Sequence, residues 1–411
     1  MSELLITNAN ILGYFPVPPD RPLRGAELSM AHSISEQYIL IRDARITAIG
    51  PMEQVPVNVT TQIDASGRFV LPAWCDSHTH LVFSHTREQE FEMRLNGKTY
   101  EEIAASGGGI LNSALRLRAM DESTLYDLSY QRFKAVQQMG TGAIEIKSGY
   151  GLDEASELKM LRVIRRLKET NEIPVKATFL GAHAIPPEFK QNRKGYLDLV
   201  LDHMLPRIAD EGLADYIDAF CDTGFFTPDE TARIIEAGAG YGIKAKIHAN
   251  ELAVSGGVEV GVRLGAVSVD HLEQMDDCSI ATLSKSSTIG TMLPGCAFFL
   301  GLTNPRAREM INAGVALALA TDYNPGTAPS GNMNFIVSLA CIKLKMTPIE
   351  AIQAATLNGA FAMELDSIVG SVTPGKLANL IITQPMQSPA VIPYSFGESM
   401  IEKVILNGRV I

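Results

Sequence analysis

His78 and His80 stand two residues apart in Asp76-Ser77-His78-Thr79-His80, between the apolar runs 69–75 and 81–83. Side chains alternate faces along a strand, so the two imidazoles point the same way. Two neutral imidazoles on one face can share a metal ion. The pair alone is a weak signal, and its meaning depends on where further ligands fall.

Of eight histidines, five sit at the ends of apolar, strand-like runs. His78 and His80 lie on the first run, His183 ends the third, His248 the fifth and His271 the sixth, while Asp322 ends the eighth. A lone histidine at a strand end is more often a packing residue, but five on one rim with a carboxylate read as a site. Three neutral imidazoles and a carboxylate leave a position open on a divalent ion for a hydrolytic water, whose pKa the ion lowers. We assign His78, His80, His248 and Asp322 as ligands and leave His271 and Glu251 as outer or proton-transfer groups. Glu251 follows His248 by three residues, on the loop above the ion; the first turn of the next helix also favours a carboxylate. His32, His85 and His203 fall outside the set, His203 as a structural residue in a helical stretch.

The fourth run, Tyr216-Ile217-Asp218-Ala219-Phe220-Cys221-Asp222, holds no lysine, and Lys147 ends the second run instead. A two-metal site bridged by a modified strand-four lysine therefore lacks its bridge. One ion is expected, and this donor set suits zinc and iron(II) alike.

The elements that must position these residues are eight apolar runs, 75–81, 142–147, 175–183, 216–222, 244–248, 266–271, 287–293 and 315–322. Helical patterns such as 155–167 and 232–237 alternate with them. Eight βα units read as a closed (β/α)8 TIM-like barrel over 71–365, with its site at the C-terminal strand ends. Short alternating strands at 4–9, 38–44, 45–50, 378–383 and 401–411, the last with an Asn407-Gly408 hairpin turn, predict a small β-sandwich domain from 1–70 and 366–411.

The 411 residues are 46% hydrophobic and 20% charged, with net charge −11. That composition suits a globular α/β protein with a large core and argues against nucleic-acid binding, which wants a basic patch. The five cysteines are scattered with no C-x-x-C pair, so neither disulfides nor a structural zinc site is expected, and Cys75 and Cys221 read as buried thiols. The opening Met1–Leu5 has no basic region or apolar stretch, and no apolar run of about 18 residues could cross a bilayer. A cytoplasmic protein with no membrane partner is the expectation.

The chain resembles the amidohydrolase superfamily and, more narrowly, the imidazolonepropionase family of histidine breakdown. The resemblance covers nearly the whole chain. It is carried by His78-Thr79-His80-Leu81-Val82-Phe83, Arg87-Glu88-Gln89-Glu90-Phe91, Ser106-Gly107-Gly108-Gly109-Ile110, Glu145-Ile146-Lys147-Ser148-Gly149-Tyr150-Gly151-Leu152, Thr178-Phe179-Leu180-Gly181-Ala182-His183 and Thr321-Asp322-Tyr323-Asn324-Pro325-Gly326. It implies hydrolysis of a ring C–N amide bond, turning 4-imidazolone-5-propanoate into N-formimidoyl-L-glutamate. By the same likeness His271 assists the water or the carbonyl, Asp322 shuttles a proton to the leaving nitrogen, and Glu251 holds the ring. Arg87 would clamp the propionate as a bidentate guanidinium. Tyr150 and His183 would be further substrate contacts, with Asn324, Gly326 and Thr327 at the product's backbone-like end. The likeness also suggests a homodimer.

Three features depart from that pattern: Ser84-His85-Thr86 before the arginine, Asn250 in place of aspartate, and Thr327 in place of serine. They bear on fine specificity more than on reaction class. Gly107-Gly108-Gly109 lacks the Gly-Lys-Ser/Thr of a phosphate loop and reads as a mobile loop over the site. A cytosine- or guanine-type deaminase would use the same ligands, but a neutral base has no use for Arg87, Tyr150 and His183. A regulatory barrel that has lost catalysis would not need His271 and Glu251.

Overall fold

The computed structural model describes residues 3–98, 102 and 108–411. Eight parallel strands pair in chain order: Trp74–Asp76, Thr141–Lys147, Val175–Ala182, Tyr216–Cys221, Lys244–Ala249, Ser268–His271, Ile289–Met292 and Leu317–Leu319. They are strands one to eight of a barrel. Strands of a parallel sheet covered on both faces read as continuous apolar runs, and strands two and four are buried along their whole length.

Strands one and eight stop short of the apolar runs that predict them, because the chain leaves the regular ladder to close the ring. The Asp322 amide donates to the His78 carbonyl at 3.0 Å and the His80 amide to the Tyr323 carbonyl at 2.9 Å. Below them the Asp76 carboxylate accepts from the Thr321 amide at 2.9 Å and the Thr321 hydroxyl at 2.6 Å. The seam therefore runs through the residues expected to bind metal.

Helices cover the outside. Glu154–Glu169 starts where Asp153 accepts from the Ser156 amide, and Pro228–Gly240 starts at a capping box of Thr227 and Glu230. Both enclose the helical patterns read from sequence. Glu251 lies ahead of the next helix, Gly257–Arg263, so it is a loop residue and not a first-turn one.

Both termini build a second, mixed sheet. Its order is Arg409–Val410, Ile401–Leu406, Leu380–Thr383, Phe69–Pro72, Glu3–Leu12, Ser33–Arg42 and Arg45–Pro51, with Gln62–Asp64 also paired to Glu3–Leu12. Alternation along Glu3–Leu12 sends Leu4 and Ile6 to one apolar cluster, with Ile39, Ile41 and Val70, and Leu5 to another, with Tyr38, Leu40 and Val59. The predicted hairpin turn forms between the paired Leu406 and Arg409, with Asn407 and Gly408 at φ 47° and 73°. Phe69–Pro72 leads through Ala73 directly into strand one, so this sheet anchors the start of the His-x-His segment.

All five cysteines are free, with Cys75 and Cys221 buried. No described helix is long and apolar enough to cross a membrane. Gly107 of the glycine run lies outside the described residues, while Gly109 opens the helix Gly109–Ala119.

Candidate metal centre and active site

His78, His80, His248 and Asp322 are all buried and converge at the seam. The Nε2 atoms of His78 and His80 each lie 3.6 Å from Asp322 Oδ1, and His80 Nε2 lies 3.3 Å from His248 Nε2. His78 Nδ1 pairs with Asp270 Oδ2 at 2.7 Å and His248 Nδ1 with Asp218 Oδ2 at 2.9 Å. A proton held on each Nδ1 by a carboxylate leaves the Nε2 lone pair free and aimed inward. His78 Nε2 has no hydrogen-bond partner among the described residues. Burial, then the Lys147 ammonium and the neighbouring imidazoles, hold the protonation of His78 and His248 well below the usual histidine range. For His80, burial and then His183 and His248 do the same. Lone pairs that face one another, unprotonated and shielded from water, form a donor set that a cation satisfies. Burial, with help from Glu251, pushes the Asp322 carboxyl up to about 7 against the pull of His271 and Asn324.

A buried ionic layer lies beneath this cluster, and sequence reasoning missed it. Lys147 Nζ donates to Glu145 Oε1 at 2.6 Å and Asp218 Oδ2 at 2.9 Å, and lies 3.7 Å from Asp270 Oδ2. Lys246 reaches Glu145 as well and donates to the Ser77 carbonyl at 2.8 Å. Burial alone would lower the Lys147 pKa, but Asp218, Glu145 and Asp270 together raise it. The two carboxylates that hold the His78 and His248 imidazoles are thus themselves held by an ammonium from strand two. A signal existed: charged residues interrupt apolar strands at alternate positions, Glu145 and Lys147, then Lys246 two before His248.

His271 sits between two carboxylates, its Nε2 3.5 Å from Glu251 Oε2 and its Nδ1 3.5 Å from Glu273 Oε2. Both Glu273 oxygens are buried with no hydrogen-bond partner among the described residues. Burial would lower the His271 pKa, but Glu251 and Glu273 outweigh it and lift it to about 10. His271 and Leu272 have φ of 89° and 68°, a backbone reversal at the strand end that brings Asp270 and His271, neighbours in sequence, into the same cluster. The loop carrying Glu251 is shaped by Asp222, whose Oδ2 accepts from the Glu251 and Leu252 amides at 2.8 Å each. Asn250 has φ of 56°, a region asparagine tolerates, and its amide donates to the Gln274 carbonyl at 3.1 Å.

His183 stacks on His80 with centroids 5.2 Å apart, its Nδ1 paired to the Gly149 carbonyl at 3.0 Å. Burial lowers its pKa to about 4. Tyr150 is buried, its ring 5.7 Å from His80 and 5.4 Å from His183. Gly149 has φ of 105°, and a Cβ there would meet His183 Nδ1 at 2.9 Å, so only glycine brings this turn so close. Asn324 donates to Asp322 Oδ2 at 2.9 Å and accepts from the Gly326 and Thr327 amides at 2.8 and 2.7 Å. Arg87 donates from Nε to Ser113 Oγ at 2.9 Å, while its buried Nη2 has no partner among the described residues. Its guanidinium lies against Gly326, where a Cβ would meet Cζ at 3.1 Å. Arg94, not singled out by sequence, donates to the Gly326 carbonyl at 3.2 Å. His85 and His203 are exposed, so His203 is a surface residue rather than a structural one, and His32 packs on Phe15.

A parallel eight-stranded barrel with imidazole and carboxylate donors gathered at its C-terminal rim defines a metal-dependent hydrolase. The sequence profile of the amidohydrolase family matches residues 69–411. An imidazolonepropionase of Flavobacterium johnsoniae is 53% identical over 388 residues, covering 94% of each chain. Those of Christiangramia forsetii (50% identical, 99% of this chain and 100% of the relative) and Geobacillus thermodenitrificans (39%, 100% and 98%) align over the whole length. Among solved structures, E. coli guanine deaminase superposes with a TM-score of 0.73 at 16% identity, covering 100% of this chain and 99% of that one, a likeness of fold. The chain belongs to the amidohydrolase family and, within it, to the imidazolonepropionases.

Proposed function

We propose that the chain performs the reaction for which its relatives are named: hydrolytic opening of 4-imidazolone-5-propanoate to N-formimidoyl-L-glutamate, by cleavage of a ring C–N amide bond. One observation carries this reading. The short segment from Asp322 to Thr327 touches the converging donors at one end and the guanidinium of Arg87 at the other. A reacting carbonyl and a carboxylate tail are thereby given binding points at a set spacing.

His78, His80, His248 and Asp322 would hold an ion of zinc or iron(II), which when bound would supply Lewis acidity to the hydrolytic water and the ring carbonyl. Arg87 receives the propionate through its unpartnered nitrogen, with Tyr150 beside it. His183, its Nδ1 engaged by Gly149, offers Nε2 to the substrate. Glu251 holds the ring, and His271, set between Glu251 and Glu273, donates a hydrogen bond to the carbonyl oxygen as negative charge develops there. The Asp322 carboxylate accepts a proton from the attacking water and delivers it to the departing ring nitrogen. Asn324, Gly326 and Thr327 receive the glutamate-like end of the product. A cytoplasmic homodimer accompanies this reading, and sedimentation of the purified protein checks its assembly.

Purified protein incubated with imidazolone propionate should remove the substrate's ultraviolet absorbance. Absence of turnover, with deamination of cytosine or guanine instead, would overturn the proposal. Elemental analysis of protein purified without added metal distinguishes zinc from iron.

A further inference from the structure

Beside the four ligands lies a second group of donors. Glu251, His271 and Cys296 bring a carboxylate oxygen, an imidazole nitrogen and a thiol sulfur within 4.8 Å of one another, all buried. They come from three separate pieces of the barrel: the loop after strand five, the end of strand six, and the helix Pro294–Leu300 after strand seven. Cys296 Sγ lies 3.7 Å from Glu251 Oε1, and His271 Nε2 lies 3.5 Å from Glu251 Oε2. Carboxylate, imidazole and thiolate are the side chains that zinc takes, and sulfur shifts a site toward soft ions and away from magnesium or calcium. His271 also belongs to a donor group with His78 and His248, so the two sets adjoin. Paired metal ions in hydrolases commonly sit about 3.5–4 Å apart. The missing strand-four lysine excludes one kind of two-metal site but says nothing against a pair completed by a cysteine on the opposite side of the barrel.

We propose that Glu251, His271 and Cys296 form a second divalent-cation site, selective for soft ions such as zinc and cadmium, whose filling stops turnover. Binding exchanges the Cys296 thiol proton and the His271 ring proton for the cation and releases both protons to solvent. The loss of turnover rests on the roles given above to Glu251 and His271, which the second ion would occupy; the site itself does not.

The test starts from protein carrying one equivalent of zinc and adds cadmium chloride. It follows the ultraviolet thiolate-to-cadmium charge-transfer band, the metal content after gel filtration, and turnover. We expect a second equivalent to bind with the band and turnover to fall by about tenfold or more. Cys296→Ala should keep its one-equivalent activity and lose the band, the second equivalent and the inhibition. Cys278→Ser, which removes the exposed thiol, should lose none of them. No second equivalent, or a band that persists in Cys296→Ala, overturns the site. Should that variant fail to fold, X-ray absorption at the cadmium edge of the unaltered protein decides: a sulfur neighbour is expected, and a shell of only nitrogen and oxygen overturns the site. Sulfur ligation with full turnover would leave the site standing and refute instead the roles of Glu251 and His271.

Discussion

Gly326→Ala tests the clamp without touching a charged residue. The alanine methyl would meet Arg87 Cζ at 3.1 Å and Cδ at 3.4 Å, with Nη1 nearer still. Gly326 does not have a positive φ, so alanine brings no backbone strain and the guanidinium alone must give way. Reaching ordinary contact at ~3.5 Å requires a retreat on the order of 1 Å. A hydrogen bond of ~2.9 Å stretched that far is no longer one. Losing one charge-assisted bond of the fork costs ~1.5–3 kcal/mol, which is roughly a 10–100-fold drop in kcat/KM. The drop should appear mainly in KM, because the tail is bound alike in ground and transition states. Steady-state kinetics on imidazolone propionate, with metal content and thermal melting as controls, measure this. The double variant with Arg87→Met should be no worse than Arg87→Met alone. Normal KM in Gly326→Ala, or full additivity with Arg87→Met, would refute the clamp.

Four further outcomes are expected. Asp270→Asn removes the carboxylate that holds His78 Nδ1 and should weaken metal retention about 10–100-fold, read by competition with a chelator; unchanged retention would count against the layer beneath the ligands. Asp322→Ala should abolish turnover on the imidazolone, and near-normal rates would remove it from the proton path. Glu273→Gln should lower kcat by about 10–100-fold with KM held, since it acts on His271 and not on the tail; equal kcat in both proteins would dismiss its part. Lys376 is buried, donates to the Val369 carbonyl at 3.0 Å, and is lowered by burial from 10.5 to about 8. Its charged form therefore costs the fold ~3 kcal/mol at neutral pH. The unfolded chain binds the extra proton between about 8 and 10.5, so wild-type stability gains as pH rises through that window. Lys376→Met should melt higher at pH 7 and lose its advantage above about 10.5; a constant difference across that range would contradict the assignment.

The barrel was legible because strands covered on both faces must be apolar, and because each run ended in a polar residue at the rim. His78, His248 and Asp322 could be placed from that pattern alone. Glu145, Lys147, Asp218, Lys246 and Asp270 were not, since they come from four strands and each reads singly as a flaw in an apolar run. Only ring closure brings them together, where each charge cancels another. Asp270 was hidden for a second reason as well: alternation puts it on the opposite face from its neighbour His271, and the positive φ at His271 breaks that rule. Glu273 lies beyond the strand, where no periodicity applies. The chain departures at His85 and Thr86 fall on exposed positions, and their chemistry is that of the rim.

If His78, His80 and Asp322 hold an ion, the seam they share ties ion binding to closure of the barrel. A ligand that binds only the folded form adds its binding energy to stability, and here that energy would be delivered at the joint between the first and last strands. Without the ion the seam would lack that energy, and amide exchange at His80 and Asp322 is expected to quicken. A chain holding its ion would be closed more firmly at this joint, and less open to a protease, than one without.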